Sequence, residues 1–406
     1  MRNAALVLAA ALIAPAAAAA QPAAPPSPIV ATPSVPGAIL FDSRLRYESV
    51  RQDGLDDANA VTARLRLGWR SPTVSGFTFL VEGEAVQAVV DDFNDTIHGP
   101  ATRAVVADPD AMELNRLQVS WTGLPDTEVV LGRQRIVLGN ARFVGNVGFR
   151  QNEQTFDAVR VTTTAFEPFS LTYAYIDRVH RVFGDDSPVG EWRSDSHLFN
   201  AETPTPMGRL TLYGYWLDFE TAPSQSSATL GARLAGSHTV AEGWSAAWTV
   251  EFARQSDYGS NPAQFELDYS LLSGGLTQGP ASLTVARERL DGDGARSFQT
   301  PLATLHAFQG WADVFLTTPA RGLTDDSITA SYTWGEPPVG RQVVFVAAWR
   351  DFTDSDGDLD FGQEFDASAR MTINERWALE AKVALYDGAG PFADRDKAWM
   401  ALEYRF

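Results

Sequence analysis

Long stretches of the chain alternate strictly between apolar and polar residues, and this period of two is the feature that most constrains the fold. Between Val61 and Trp69 every odd position is apolar, whereas the even positions hold threonine, arginine or glycine. Because successive side chains of a β-strand point to opposite faces, the segment predicts a strand with one apolar and one polar face. The pattern returns over residues 244–252, 377–385 and 398–406. We therefore expect an all-β chain.

Alternation alone also fits a soluble β-sandwich, but three features favour a barrel that crosses a membrane. The segments run about ten to twelve residues, close to the ~9–11 that a tilted strand needs to cross a bilayer. Tryptophans such as Trp69, Trp121 and Trp377 stand at segment ends, as an interfacial girdle requires. Short connections such as 71–75 alternate with long ones such as 136–153. Short turns on one side and long loops on the other are typical of outer-membrane barrels.

The strand pattern predicts an even number of strands, with both chain ends on the same side. We place eighteen strands at residues 40–51, 58–70, 76–88, 113–122, 128–136, 154–164, 169–179, 195–203, 208–219, 227–239, 243–255, 263–273, 280–290, 326–335, 341–352, 363–373, 376–387 and 397–406. Residues 291–325 then form one long outer loop. We expect a single transmembrane antiparallel β-barrel of about 18 strands, with long extracellular loops partly folded into the lumen. A barrel of this size encloses an aqueous channel.

The N-terminal region has the composition of a targeting segment followed by a linker. Residues 1–20 predict a secretory signal peptide, with Arg2 in the positive region and a small-residue cleavage site before Gln21. Residues 21–37 are rich in proline and predict an extended linker, so residues 38–406 would form the barrel. Beyond the linker, no apolar run approaches the ~18 residues of a transmembrane helix. We expect the protein in the outer membrane of a Gram-negative bacterium.

Charge and composition exclude several functions. The net charge is −19 and the chain has no cysteine, which argues against nucleic-acid binding, disulfides and thiol-based metal sites. We expect no cofactor, no metal and no enzymatic activity. An outer-membrane hydrolase with His306 in a rim cluster is a second class of function, and loose Ca²⁺ binding by the acidic segment 353–361 is an alternative to a solvated loop.

The polar face of the strands would line the channel, and arginine recurs on it. Arginine pairs with carboxylates through two parallel hydrogen bonds, so a row of arginines would suit a polyanion. We expect acidic residues, among them Asp157, Glu266 and Asp268, on the same face, which leaves open that the arginines merely pair with neighbouring acids. The predicted pore-lining arginines are Arg46, Arg66, Arg116, Arg350 and Arg370.

Two segments of the long loops stand out, and the first of them is too rich in Arg, Gly, Asn and Gln for an ordinary exposed loop. One reads GRQRIVLGNARFVGNVGFRQN over residues 132–152 and continues with TFDAVR over 155–160. The other reads TPLATLHAFQGWAD over residues 300–313. Glycine permits tight turns, and arginine and asparagine present hydrogen-bond donors, so the first segment predicts an inward-folded constriction. In this order, the two segments resemble the signature of the alginate-export family of outer-membrane porins.

The resemblance implies a monomeric 18-stranded barrel whose arginine-rich constriction passes an anionic polysaccharide outward, with periplasmic export partners. The chain departs from the family motif at Gln309, where the family has asparagine, and at Phe149, where it often has tryptophan. We expect a passive channel for an anionic polysaccharide such as alginate, or for small anionic solutes, in contact with outer-membrane lipid and lipopolysaccharide. The alternative is a general or nutrient-uptake porin with weak selectivity. The matching positions imply a constriction formed by Arg133, Arg135, Arg142, Arg150, Asp157 and Arg160.

Overall fold

The computed structural model describes residues 37–406, so the predicted signal peptide and residues 21–36 of the predicted linker lie outside the described residues. The described chain is built almost entirely of strands, joined by short turns and long loops. The strands are β1 (Ala38–Gln52), β2 (Ala58–Arg70), β3 (Phe77–Asp92), β4 (Ala111–Leu124), β5 (Thr127–Gln134), β6 (Thr155–Phe166), β7 (Phe169–His180), β8 (Glu191–Thr205), β9 (Gly208–Leu217), β10 (Ser227–Ala241), β11 (Trp244–Asp257), β12 (Glu266–Gln278), β13 (Ala281–Leu290), β14 (Leu323–Trp334), β15 (Gln342–Thr353), β16 (Asp360–Thr372), β17 (Trp377–Gly388) and β18 (Arg395–Arg405).

The eighteen strands form one closed antiparallel sheet. Each strand pairs with its neighbour in sequence, and β1 pairs with both β2 and β18, where Asp42 lies opposite Arg405. Closure leaves no unpaired strand edge. Two single-turn 3₁₀ helices occur in loops, at Pro223–Gln225 and Leu305–Ala307. Among residues 37–406, no helix is long and apolar enough to span a membrane. The predicted 18-stranded barrel is confirmed.

The strand bounds agree with the sequence prediction to within a few residues, and the largest difference lies in β12. This strand continues to Gln278, although the apolar pattern weakens after Ser273. Gly274 and Gly275 have no side chains to signal a strand, but both pair with residues of β13 across the sheet. Backbone pairing therefore extends the strand where the side-chain pattern ends.

The outer surface of the barrel is apolar, as the alternation predicts. On β2, Leu65 and Leu67 point outward and are 42% and 55% exposed, and the same holds for one residue in two along most strands. An apolar surface this extensive needs lipid around it. Five tryptophans lie at the short-turn ends of strands, where the aromatic girdle was expected: Trp69, Trp121, Trp244, Trp334 and Trp377.

The inside of the barrel is partly filled by three long loops. Residues Phe143, Phe298 and Leu302, which belong to two of these loops, pack with wall residues such as Tyr269 in one buried cluster. The third loop, 93–110, packs Phe93 and its neighbours against the inner side of β1 and β2. The predicted inward folding of long loops is confirmed, and the lumen is narrower than eighteen strands alone would make it.

Candidate pore constriction

The loops 135–154 and 291–322 meet inside the barrel and form one body across the lumen. The Gly145 amide donates to the Leu302 carbonyl at 2.8 Å, and the Thr304 amide donates to the Ala141 carbonyl at 3.0 Å. The Gln154 side chain adds a bond to the same Leu302 carbonyl at 3.1 Å. These backbone contacts hold the two segments that the sequence analysis singled out against each other.

Arginines on the inner wall hold loop 135–154 in place. Arg44 Nε donates to Gln151 Oε1 at 2.8 Å, and Arg46 Nη1 donates to the Phe149 carbonyl at 2.5 Å. Arg46 also forms an ion pair with Asp108, on the third inward loop. The Arg46 side chain is only 2% exposed. Arg46 therefore faces inward, as predicted for a pore-lining residue, but it is buried beneath the loop.

Glu153, near the end of loop 135–154, is the carboxylate on which several donors converge. Arg135 Nε donates to it at 2.6 Å, and the side-chain amides of Asn115 and Asn146 donate at 2.7 and 2.8 Å. Arg66, only 6% exposed, lies 3.6 Å away. Burial by itself would raise the pKa of Glu153, but the Arg66 and Arg135 guanidinium groups outweigh it and lower that pKa to about 2. Of these arginines only Arg135 is partly open to the lumen, with 30% of its side chain exposed.

A buried cluster around Asp313 holds loop 291–322, and we call it the Asp313 cluster. The carboxylate accepts from His306 Nδ1 at 2.7 Å, from Lys397 Nζ at 2.8 Å and from Arg150 Nη2 at 2.8 Å. Glu48 of β1 completes it, 3.2 Å from Lys397 and 3.4 Å from Arg150. Because Arg150 belongs to loop 135–154 and Lys397 to β18, the cluster ties both loops to the barrel wall.

His306 is enclosed within this cluster. Its ring stacks on Phe149 with centroids 3.4 Å apart, and its Nε2 accepts from Lys382 Nζ at 2.6 Å. Burial, together with the positive charge of Lys382, outweighs the attraction of Asp313 and lowers the pKa of His306 to about 3. The imidazole is therefore neutral, with the Nδ1 proton donated to Asp313. A buried ring whose two nitrogens are both bonded is closed to a substrate, which argues against the hydrolase alternative.

The lowered pKa of His306 predicts that acid loosens the loops. The folded state resists protonation of His306, so the stability it contributes is complete above pH 6.5 and falls as the pH drops from 6.5 towards 3, by up to about 1.4 kcal/mol per pH unit. We expect single-channel conductance to rise over this range. His306→Gln should flatten the dependence, whereas His197→Gln, a change on the outer wall, should leave it intact. An unchanged acid response in His306→Gln would contradict this assignment.

Arg142 lies buried at the junction of the two loops. Its Nε donates to Glu288 Oε1 at 2.5 Å and its Nη1 donates to Thr300 Oγ1 at 2.9 Å. Glu288 also accepts from the Tyr269 hydroxyl at 2.7 Å and from the Gln309 side chain. Gln309 thus reaches a wall carboxylate from the position where the resembled family has the shorter asparagine.

Two of the predicted constriction residues lie on the other side of the wall. Arg133 is paired across the sheet with Leu117 and with Asp157, on the outward face that also holds Leu131, which is 57% exposed. The Arg133 and Asp157 side chains bond to each other at 2.9 Å, and His180 Nε2 lies 3.0 Å from Asp157. The placement of Arg133 and Asp157 at a constriction was therefore wrong. The segment crosses from strand to loop after Gln134, and residues before that point obey the strand's alternation.

The other predicted lumen residues face inward except for two acids. Arg160 lies on the inner wall of β6, opposite the buried Val130, and pairs with Glu128 at 3.2 Å, so its partner is a wall residue and not a loop residue. Glu266 and Asp268 instead face outward, where both pair with Arg254. Their assignment to the lumen face was wrong because Leu267 and Tyr269, which alternate with them, face inward and pack in the buried cluster formed with the loops.

The remaining predicted pore-lining arginines face the lumen, but each has a carboxylate partner. These arginines are Arg116, Arg350 and Arg370. None of them is fully exposed, and Arg370 has the most exposed side chain. The partners are Glu82 for Arg116, Asp325 and Asp366 for Arg350, and Glu380 and Glu403 for Arg370. The arginines of the lumen wall thus pair with neighbouring acids, which is one of the two possibilities that the sequence analysis left open.

The acidic segment 353–361 is organised around one carboxylate. Asp354 is buried and accepts from the backbone amides of Asp358 and Leu359 at 2.8 and 3.1 Å, and from Arg321 at 2.9 Å. Burial by itself would raise the pKa of Asp354, but these hydrogen bonds outweigh that effect and lower the pKa. Within residues 37–406, no group of three or more His, Cys, Asp or Glu residues is arranged to hold a metal ion.

Comparison with known proteins supports the fold at the level of solved structures. No protein-family model matches the chain, and no curated protein matches it. The crystal structure of Pseudomonas aeruginosa OccK9 (OpdG) aligns with a TM-score of 0.71 at 16% identity, over 91% of this chain and 98% of that one. The outer membrane protein OpdK of the same organism gives 0.66 at 13%, over 91% and 99%. P. aeruginosa OccK2 (OpdF), solved in complex with glucuronate, gives 0.66 at 13%, over 91% and 98%.

These similarities define the class of fold to which the chain belongs. At such identities the likeness shows the fold alone, and this fold is that of the outer-membrane porins. Together with the closed barrel and its apolar outer surface, it confirms the expected location in the outer membrane. None of the three matched structures is described as an alginate exporter.

Proposed function

We propose that the protein is a passive outer-membrane channel for the uptake of small solutes, with a preference for small carboxylates. The observation that carries the proposal is the constriction: two loops cross the lumen and are tied to the wall by the Asp313 cluster and by Glu153. Loops held by buried ion pairs set a fixed, narrow passage. This agrees with the uptake-porin alternative better than with a polysaccharide exporter.

The arrangement of the arginines also disfavours export of a polyanion. A polymer with a charge on every sugar needs a continuous row of accessible cations. The arginines of β1 and β2 that suggested such a row, including Arg46 and Arg66, are buried and paired with carboxylates or loop carbonyls. Their positive charge holds the loops and is not offered to a passing chain.

A small carboxylate needs only one or two accessible donors. Arg135 stands beside the constriction, is partly exposed and points into the lumen, since its partners are Glu153 and the inward-facing Glu82. A guanidinium fork binds a carboxylate through two parallel hydrogen bonds. The glucuronate bound in the OccK2 structure is a solute of this kind. The proposal needs no cofactor and retains the monomer expected from the sequence.

Replacing Arg135 with glutamine is expected to reduce anion preference. A unit charge about 4 Å from a passing ion is worth about 1 kcal/mol even in water, so the anion-to-cation permeability ratio should fall roughly fivefold. The measurement is the reversal potential of single channels in a planar bilayer under a salt gradient, with and without glucuronate.

The matched control for that experiment is Arg287→Gln. Arg287 is exposed on the outer face of the barrel, where it pairs with Asp326. Its replacement should leave the reversal potential unchanged. If Arg135→Gln and Arg287→Gln give the same potential as the unaltered channel, the carboxylate preference is refuted, and an unselective porin remains.

A further inference from the structure

A groove on the outer surface lies at the short-turn end of the barrel. It has a volume of about 650 Å³ and is bordered by the turns before β15 and β17 and by the end of β18. Strand β1 begins and strand β18 ends at this side of the barrel. In outer-membrane barrels the side with the short turns faces the periplasm. The lining residues are Arg341, Asn374, Glu375, Arg376, Trp377 and Tyr404.

Aromatic residues place the groove at the depth of lipid headgroups. Trp377 and Tyr404 are paired across β17 and β18, with ring centroids 4.7 Å apart. They belong to the outward-facing set that continues with the lipid-facing Leu402 and Met400. Because tryptophan and tyrosine sit at the membrane–water boundary, the charged residues beside them lie level with the lipid phosphates.

The groove carries one cation without a counter-charge. Across residues 37–406, Arg376 makes no ion pair, and its guanidinium lies over the Phe406 ring at 6.0 Å. The second guanidinium, of Arg341, donates to Glu375 Oε1 at 3.1 Å, and the Glu375 side chain remains 81% exposed. The groove therefore presents a free guanidinium and a largely open carboxylate side by side.

We propose that this groove binds the headgroup of a phospholipid of the periplasmic leaflet, with the phosphate on Arg376 and a headgroup amine near Glu375. A guanidinium gives a phosphate two parallel, charge-assisted hydrogen bonds. The acyl chains would run along Trp377, Tyr404 and the apolar wall beyond them. A zwitterionic phosphoethanolamine headgroup matches both charges of the groove. The inference stands independently of the proposed transport function.

Native mass spectrometry of the delipidated barrel with added phosphatidylethanolamine tests the proposal. Arg376→Gln should weaken the lipid adduct on the order of tenfold, the effect of losing one charge-assisted hydrogen-bond pair. Arg405→Gln is the matched control: Arg405 lies at the same end of the barrel but pairs with the inward-facing Asp42 at 2.6 Å. Its adduct should equal that of the unaltered protein. Heat-modifiable migration on a gel verifies that each variant is folded.

Three outcomes would overturn the assignment. Equal amounts of lipid adduct on Arg376→Gln and Arg405→Gln would show that Arg376 does not bind the phosphate. Full competition by millimolar inorganic phosphate would show a simple anion site and not a lipid site. Phosphatidylglycerol has no amine. If it binds as well as phosphatidylethanolamine and Glu375→Gln has no effect, Glu375 does not bind a headgroup amine.

Discussion

Replacing Asp313 with alanine is expected to release both lumen loops and to raise single-channel conductance. The change leaves Arg150, Lys397 and His306 buried without their shared acceptor. Removing one partner from a buried ion pair costs about 3–5 kcal/mol, because the remaining charge stays desolvated. The barrel wall does not depend on this cluster, since its strands are held by a closed backbone ladder. We therefore expect a folded barrel with a larger and noisier conductance in planar bilayers.

Asp326→Ala is the control for this prediction. Asp326 pairs with Arg287 on the outer face, where both side chains are exposed, and such pairs contribute at most about 1 kcal/mol. Its conductance should match that of the unaltered channel. If Asp313→Ala conducts like Asp326→Ala, the Asp313 cluster does not hold the constriction.

Gly310→Ala is expected to displace loop 291–322 from the wall. Gly310 has a φ of +85°, and an added Cβ would collide with Glu364 Oε2. Glu364 cannot move aside easily, because it is buried and its Oε1 accepts from the Ala312 amide at 2.8 Å. The left-handed backbone costs an alanine about 1–2 kcal/mol, and the collision adds about 1–3 kcal/mol. Conductance should rise, as measured on single channels.

Gly294→Ala separates the two contributions. Gly294 lies in the same loop with a φ of +88°, but no atom lies within 4 Å of an added Cβ. It therefore carries only the backbone cost, because the added Cβ meets open space. An equal conductance increase in Gly294→Ala and Gly310→Ala would show that contact with Glu364 does not position the loop.

The barrel could be predicted from the sequence because its physical determinants are local. Alternation along segments such as Val61–Trp69 follows directly from a wall with lipid on one side and water or packed loops on the other. Turn lengths then fix which strand ends lie together. The strand bounds were predicted less well where the side-chain pattern does not indicate the backbone conformation, as at Gly274 and Gly275 in β12.

The constriction was predicted only in part, because its contacts join distant parts of the chain. Composition indicated that residues 132–152 form an inward-folded constriction, and the structure brings this segment together with residues 300–313 of the second loop. The partners of Arg150 and Arg142, such as Glu48, Asp313 and Glu288, follow from tertiary packing and had no local signal. Alternation along β5 places Gln134 inward and Arg133 outward, whereas the inward position of Arg135 has no signal in the alternation, because the chain leaves the strand after Gln134.

The abundance of lumen arginine has a structural explanation in this protein. Charged groups on the lipid face would be costly, so the inner face collects them, and inside a narrowed lumen they pair with carboxylates. Arg44, Arg46 and Arg66 use their donors to fix loop 135–154, including its backbone carbonyls. Counting arginines therefore overstates the positive charge that a solute meets.

Size-dependent permeation tests the central claim of a small-solute channel most directly. Proteoliposomes containing the full barrel should swell in glucuronate and in monosaccharides, and should not swell in uronate oligomers that the fixed loops exclude. Asp313→Ala should extend the limit to larger solutes. Rapid entry of uronate oligomers through the unaltered channel would contradict the claim that the constriction is narrow and would favour the polysaccharide-export hypothesis.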